Sequence, residues 1–134
     1  EQDIPFDSDM VVSLGADDDL ELAISLSLNL KELNGILVFD EITTVKVMDL
    51  LRSKGFLIPK DISVIGFTNG ELSRYASPPV TMISQHGRFI GETSANKLID
   101  RIEGKDDKAK FETKTIKTSL VVRQSTLSME QQHS

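Results

Sequence analysis

The chain has 134 residues, of which 39% are hydrophobic and 27% charged, a composition typical of an ordinary globular domain. The lack of cysteine excludes disulfides and thiolate chemistry, which suits a cytoplasmic protein, and leaves histidine and carboxylates as potential metal ligands. A net charge of −6 without a cluster of lysine or arginine argues against direct DNA contact, and no apolar run has the length of a membrane span.

The first part of the chain contains a predicted strand and then a segment with two periodicities. Met10–Leu14 is apolar and β-branched, which predicts a short strand. Ile24–Leu30 alternates between apolar and polar residues as a strand does, but a helical spacing of four and three residues relates Leu22, Leu26, Leu30 and Leu33. The acidic residues Asp17–Asp19 before this segment, and its length, favour a helix. We expect Gly35 to end that helix.

From residue 36 onwards, apolar runs alternate with helical segments. We predict strands, the first two buried, at Ile36–Phe39, Ile62–Phe67 and Thr115–Val122, and a short extended segment at Val80–Ser84. We predict helices at Glu41–Lys54, which Gly55 stops, and at Arg88–Ile102. This order predicts βαβ units and therefore a doubly wound α/β fold, with a parallel sheet flanked by helices.

A family resemblance is visible in residues 58–85, IPKDISVIGFTNGELSRYASPPVTMISQ. This segment resembles the pattern of the LacI/GalR (lactose-repressor/galactose-repressor) family of transcription regulators: a proline turn, D-[IV]-S-V-[IV]-G-[FY], a loop, Y-x-x-P-P-[LV]-T and a glutamine. Further agreement lies in Gly35–Met48, Arg88–Gly104 and Ser119–Thr126. Together these stretches cover most of the chain in the order that the family has.

The resemblance implies a periplasmic-binding-protein-like (type I) fold, in which two lobes are joined by crossing strands. Residues 1–84 would form part of the C-terminal lobe. Residues 85–109 would form a hinge crossing and a helix packing on the N-terminal lobe, and residues 110–126 would return to the C-terminal lobe. We expect a disordered tail at 127–134. The chain would be an incomplete fragment, without the N-terminal helix-turn-helix and most of the N-terminal lobe.

Polar residues directly after two predicted strands are candidates for binding an effector. Ligands of open α/β sheets lie beyond the carboxyl ends of the strands, where Asp40 and the pair Thr68 and Asn69 are expected. By the resemblance, Asp40 matches a position that contacts ligand hydroxyl groups, whereas Thr68 is neutral where the family usually has a carboxylate. Asn69 could supply the missing polar contact. Asp40 could instead simply cap the helix that follows.

Gln85 matches the glutamine at the hinge of the family, and it is the fourth candidate for effector binding; an ordinary polar linker residue is the alternative. Gly87 departs from the pattern, because many family members carry at this position an aromatic residue that packs on the ligand. The expected effector is a sugar or a sugar-like small molecule.

Apolar residues on the outward side of the Glu41–Lys54 helix predict a surface for a partner. Ile42 and Val45 lie opposite the arc that faces the sheet. The resemblance places Val45 and Tyr75 at the dimer interface of the family, so we predict a homodimer with Ile42, Val45 and Tyr75 at its interface.

We therefore interpret the chain as the effector-binding and dimerisation module of a ligand-controlled repressor. It would reach operator DNA only through the helix-turn-helix. A periplasmic solute-binding protein of an ABC transporter is the alternative. No catalytic triad spacing, phosphate loop or metal pattern is present in the sequence, so we expect neither an enzyme nor a cofactor or metal.

Overall fold

The computed structural model describes residues 7–15, 18–30, 33–105 and 111–127. Its helices are a 3-10 turn at Ser8–Met10, α1 at Leu20–Leu30, α2 at Glu41–Ser53, α3 at Leu72–Tyr75 and α4 at Gly87–Ile102. Its strands are β1 at Gly35–Val38, β2 at Ser63–Phe67, β3 at Thr81–Ser84 and β4 at Ser119–Val121. No helix in these ranges is both long enough and apolar enough to cross a membrane.

The strands form one sheet in the order β1-β2-β3-β4. The first three strands are parallel, and β4 pairs with β3 in the antiparallel direction. Val38 lies opposite Gly66, and Phe67 opposite Ile83, so β1, β2 and β3 end at the same edge. The predicted α/β fold with a parallel sheet is thus confirmed, and the returning strand adds an antiparallel edge.

Local capping decides where the first two α-helices begin. The Asp19 carboxylate accepts hydrogen bonds from the backbone N–H groups of Glu21 and Leu22, at 2.9 and 3.1 Å, so the segment with two periodicities is a helix. Asp40 caps α2 in the same way. Gly55 follows α2 with a φ of 88°, in the left-handed region that glycine tolerates. The prediction that Gly35 ends α1 is wrong, because Gly35 begins β1 and pairs with Ser63.

The hydrophobic core lies on one face of the sheet, under α2. Its fully buried apolar side chains lie on α2, on β2 and β3, and at the position directly before each of these two strands: Val47, Met48, Leu51, Ile62, Val64, Val80 and Met82. Gly66 allows α2 to approach closely, because a Cβ atom there would overlap the side chains of Met82 and Thr44. Burying one such aliphatic side chain contributes about 1.5–3 kcal/mol, so this layer holds the sheet edge in place.

The expectation that β1 is buried on both faces is wrong. Ile36 and Val38 pack against the core, but Leu37 is 50% exposed and Phe39 is 73% exposed. The physical reason is that α2 covers only one face of the sheet, and α4 has no buried residue with which to cover the other. The apolar run of β1 therefore predicts a strand correctly but does not predict its surroundings.

The predicted strand at Met10–Leu14 is also wrong. Met10 ends the 3-10 turn, and residues 11–15 have no regular structure and are exposed. A strand needs a neighbour for its backbone N–H and C=O groups. Here a groove of about 760 Å³, lined by this segment and by β1, lies between the two. The predicted strand at Thr115–Val122 is shorter than expected, at Ser119–Val121. Of the predicted disordered tail, residues 128–134 lie outside the described residues.

Candidate functional site

The four residues predicted to bind an effector lie after three parallel strands that end at one edge of the sheet. Asp40 follows β1, Thr68 and Asn69 follow β2, and Gln85 follows β3. The side-chain amide of Gln85 donates a hydrogen bond to the Thr68 hydroxyl at 3.5 Å. The topology thus brings two of the predicted residues into direct contact, although they are separated by 17 positions in the chain.

Asp40 has the capping role that the sequence suggested as an alternative. Its Oδ1 accepts a hydrogen bond from the backbone N–H of Thr43 at 2.7 Å, and its carbonyl oxygen accepts one from the Thr44 hydroxyl. The hydrogen bonds from Thr43 lower the pKa of the Asp40 carboxyl below its usual value. The side chain remains exposed. The carboxylate is therefore ionised, held in one orientation and accessible from solvent.

Thr68 has a backbone conformation that is rare for a β-branched residue. Its φ is 75°, in the left-handed region, while its N–H donates to the Ile83 carbonyl at 3.0 Å and its own carbonyl accepts from Gly70 N–H at 3.0 Å. Such a conformation costs free energy, persists only where the surrounding structure holds it, and is concentrated at ligand-binding positions. This conformation supports the choice of Thr68 as a candidate. No sequence pattern predicts the conformation itself.

Asn69 is held by a residue that the sequence prediction missed. Arg123 donates from Nη2 to the amide oxygen of Asn69 at 2.6 Å, and from Nη1 to the carbonyl oxygen of Val80. Burial, and then the positive charge of Arg74, lower the pKa of Arg123. The one available signal was an arginine directly after the apolar run of β4, and that signal is weak.

An aromatic pair at the same sheet edge was also missed. The rings of Phe39 and Phe67 have centroids 5.6 Å apart and are tilted by 37°, a spacing at which aromatic rings attract each other. Phe39 directly precedes Asp40, and Phe67 directly precedes Thr68. The edge thus combines exposed aromatic surface with a carboxylate, a hydroxyl and an amide, which is the composition of a small-molecule site. In the residues that the structure describes, no three His, Cys, Asp or Glu are placed to hold a metal ion.

The residues predicted to form the dimer interface lie on α2 and α3, which pack against each other. Tyr75 is 84% exposed and Ile42 is 60% exposed, whereas Val45 is half-buried. Two large apolar or aromatic side chains therefore stand in solvent at the end of α3 and the start of α2.

Comparison with known proteins gives matches over most of the chain. A family model described as a periplasmic binding protein-like domain matches residues 6–126. The HTH-type transcriptional repressor PurR of Aliivibrio fischeri is 40% identical over 76 residues, which are 57% of this chain and 23% of that protein. PurR of Vibrio atlanticus is 41% identical over 78 residues, 58% of this chain and 23% of the relative. The chain thus spans about a quarter of the curated relatives that it matches.

Two solved structures that superpose on the chain are also of transcription regulators. A LacI-type regulator from Bifidobacterium animalis subsp. lactis superposes with a TM-score of 0.73 and 27% identity, over 81% of this chain and 38% of that one. The lac repressor dimer bound to operator and the anti-inducer ONPF superposes with a TM-score of 0.63 and 30% identity, over 71% of this chain and 32% of that one.

Proposed function

The chain belongs to the periplasmic binding protein-like domain family, and we propose that it is the effector-binding and dimerisation part of a LacI-type transcription regulator. The observation that carries this proposal is the edge of the parallel sheet, where Phe39, Asp40, Thr68 and Gln85 follow neighbouring strands. Relatives named as repressors support the same role.

The effector in this proposal is a small polar molecule with one apolar face. Asp40, Thr68 and Gln85 offer hydrogen-bonding groups for hydroxyl or amide groups, while the Phe39 ring offers a face on which a sugar or a planar ring can stack. Two of the lac repressor structures that resemble this chain carry the ligands ONPF and ONPG. A sugar-like effector is consistent with these contacts.

Control of transcription would follow from a shift between two arrangements of the protein. An effector changes an equilibrium only by its difference in affinity for the two states. Binding at the sheet edge would favour one arrangement of two lobes and so change the affinity of a separate helix-turn-helix for operator DNA. The net charge of −6 fits a segment that does not itself contact phosphates. In this proposal the protein is cytoplasmic and has no enzymatic activity.

Dimerisation is part of the proposal, through the exposed ends of α2 and α3. Ile42 and Tyr75 expose most of their side chains there, and Val45, three residues after Ile42 on α2, is half-buried. A twofold interface would place this patch against its own copy. Aromatic residues are favoured at interface centres because they bury a large area and keep a polar group available.

The alternative is a solute-binding protein that delivers a ligand to a transporter. It has the same fold and the same position for the ligand, so the fold alone does not separate the two functions. Export by a signal peptide would support the transporter role, whereas a helix-turn-helix in the same polypeptide would support the regulator. The named relatives favour the regulator.

Thermal unfolding in the presence of candidate effectors tests the proposed site. A panel of monosaccharides and nucleobases would be added to the natural polypeptide that contains this chain. A ligand that binds only the folded state raises the melting temperature, by a few degrees at about 100 times its Kd. We expect one class of compound to do so, and the rise to be lost in Phe39→Ala and Thr68→Ala. A rise that persists unchanged in both variants would move the site elsewhere.

A further inference from the structure

Arg123 joins three segments of the chain that meet beside the candidate effector site. We propose that Arg123 is a positioning residue: it holds residues 68–73, which are the loop after β2 and the start of α3, in the conformation that binds the effector, and Ser73 and Glu41 tie this segment to α2. We call the contacts of Arg123 with Asn69 and Ser73 the clamp. This inference rests on the proposed function, since the loop carries Thr68 and Asn69.

The guanidinium group of Arg123 contacts the loop after β2, α3 and the residue directly before β3 at the same time. Nη2 donates to the Asn69 amide oxygen at 2.6 Å, while Nη1 donates to the Val80 carbonyl and lies 3.5 Å from the Ser73 hydroxyl. The backbone N–H of Arg123 donates to the Thr81 hydroxyl at 2.9 Å. Both ends of the residue are therefore fixed. The planar fork of arginine bridges partners that a lysine ammonium cannot bridge with the same geometry.

The other side of the loop is tied to α2 by Glu41 and Ser73. The Ser73 N–H donates to the Glu41 carboxylate at 2.8 Å, and the Ser73 hydroxyl donates to the Gly70 carbonyl at 3.0 Å. Ser73 is fully buried, and a side chain at Gly70 would overlap the Glu41 carboxylate. One run of hydrogen bonds therefore leads from the first turn of α2, directly after Asp40, through Ser73 and Arg123 to Asn69.

This network gives a physical reason for the strained backbone at Thr68. A threonine with a φ of 75° needs surroundings that prevent it from relaxing, and Arg123 holds the next residue by its side chain. Because Arg123 engages one lone pair of the Asn69 oxygen, Asn69 retains its amide nitrogen and the second lone pair of that oxygen for a ligand. Burial and the positive charge of Arg74 lower the pKa of the half-buried Arg123, whereas the negative charge of Glu41 opposes that shift and stabilises the charged guanidinium.

Hydrogen exchange on the full regulator, without any ligand, tests the clamp directly. The variants are Arg123→Gln, Arg123→Lys and Asn69→Ala, with Arg88→Gln as the control because the Arg88 side chain is 92% exposed on α4. In Arg123→Gln we expect amide exchange at residues 69–73 to rise about tenfold or more, while the amides of β1 and β2 keep their protection. Arg123→Lys should fall between Arg123→Gln and the wild type, and Arg88→Gln should match the wild type. Asn69→Ala removes the same contact and leaves the arginine in place, so it serves if Arg123→Gln does not fold.

Binding separates the clamp from a general contribution to stability. The panel compound that most stabilises the wild type would be titrated calorimetrically against each variant. We expect its Kd to rise about ten- to a hundredfold in Arg123→Gln, because the apparent Kd rises in proportion as the binding-competent conformation of the loop is populated less. Unchanged exchange at residues 69–73, or exchange that rises equally throughout the protein, would overturn the clamp. A loop that responds while no panel compound binds the wild type would count against the proposed function and leave the clamp standing.

Discussion

The two longest helices of the structure have similar sequence patterns and opposite environments. In α2, Thr44, Val47, Met48 and Leu51 are buried against the sheet. In α4, no residue is buried, although its apolar residues Phe89, Leu98 and Ile102 also recur along the helix. The periodicity of apolar residues therefore indicates a helix, whereas the burial of that helix depends on a neighbouring surface. α2 stabilises the sheet, and α4 presents an apolar face that is exposed in the chain as described.

The side-chain contacts between α4 and residues 111–114 lie at the surface of the protein. Arg101 lies 4.9 Å from the Phe111 ring centroid, Lys114 lies 5.5 Å from that of Phe89, and Lys97 pairs with Glu112. Exposed pairs of this type contribute little, with a median of about 0–1 kcal/mol. Substitutions in α2 and α4 test this contrast.

Matched leucine truncations should separate the two helices most strongly. Leu51→Ala in α2 removes a fully buried side chain, and we expect it to lower the free energy of unfolding by about 2–5 kcal/mol. Leu98→Ala in α4 truncates a side chain that is 60% exposed, and we expect a change within about 0.5 kcal/mol. Urea unfolding followed by circular dichroism measures both. Equal losses would mean that α4 is buried in solution.

Charge substitutions test whether the outer face of α2 is the dimer interface. Val45→Asp would force a carboxylate into the proposed apolar contact, at a cost of about 3 kcal/mol per subunit. We expect the full regulator to become monomeric by sedimentation equilibrium and to lose operator affinity, because paired half-sites need a dimer. Lys60→Asp, at an exposed position in the turn before β2, is the control and should leave the dimer intact. If Val45→Asp lowers only the melting temperature, then Val45 packs within its own subunit.

Glycine-to-alanine changes should have opposite signs in the two layers. A Cβ atom at Gly66 would overlap the side chains of Met82 and Thr44, so Gly66→Ala should destabilise by about 1–3 kcal/mol. Gly91 lies within α4 and has open space around it, so Gly91→Ala should stabilise by about 0.5–1 kcal/mol. Differential scanning calorimetry on both variants gives the signs. Destabilisation by Gly91→Ala would indicate that a neighbour packs closely against α4.

The sequence predicted those features that depend on local chemistry. The helices at Glu41–Ser53 and Gly87–Ile102 begin and end within one or two residues of the predicted bounds, because caps and glycines lie next to the helices that they limit. The strand predicted at Met10–Leu14 failed because a strand needs a partner elsewhere in the chain. The burial of β1 failed for a related reason, since no sequence period shows whether a second layer covers the sheet.

The same distinction between local and long-range features applies to the candidate site. Asp40 and Thr68 were proposed because ligands of open α/β sheets lie beyond the carboxyl ends of the strands, and Gln85 because it matches the hinge glutamine of the family; all three stay predictions. Arg123 was missed because its contact with Asn69 joins residues 54 positions apart. The Phe39–Phe67 pair was missed because apolar residues at the end of a strand are first interpreted as core. Pairing between distant side chains is the part of a site that a single sequence leaves open.

The effect that we expect to be smallest is that of changing the residues that precede α2 and α4. Asp40 caps α2 through Thr43 N–H, whereas His86 precedes α4 with a φ of 56° and makes no side-chain capping bond. Asp40→Ala should therefore cost about 1 kcal/mol, and His86→Ala should cost less. Because the folded-state pKa of Asp40 is lowered from 3.8, its ionised form contributes stability that is complete above the unfolded pKa. That contribution is lost as the pH falls through the folded pKa. The difference in melting temperature between wild type and Asp40→Asn should thus shrink between about pH 5 and pH 3, since asparagine caps without titrating. A difference that is constant over this range would show that the carboxylate charge at Asp40 does not stabilise α2.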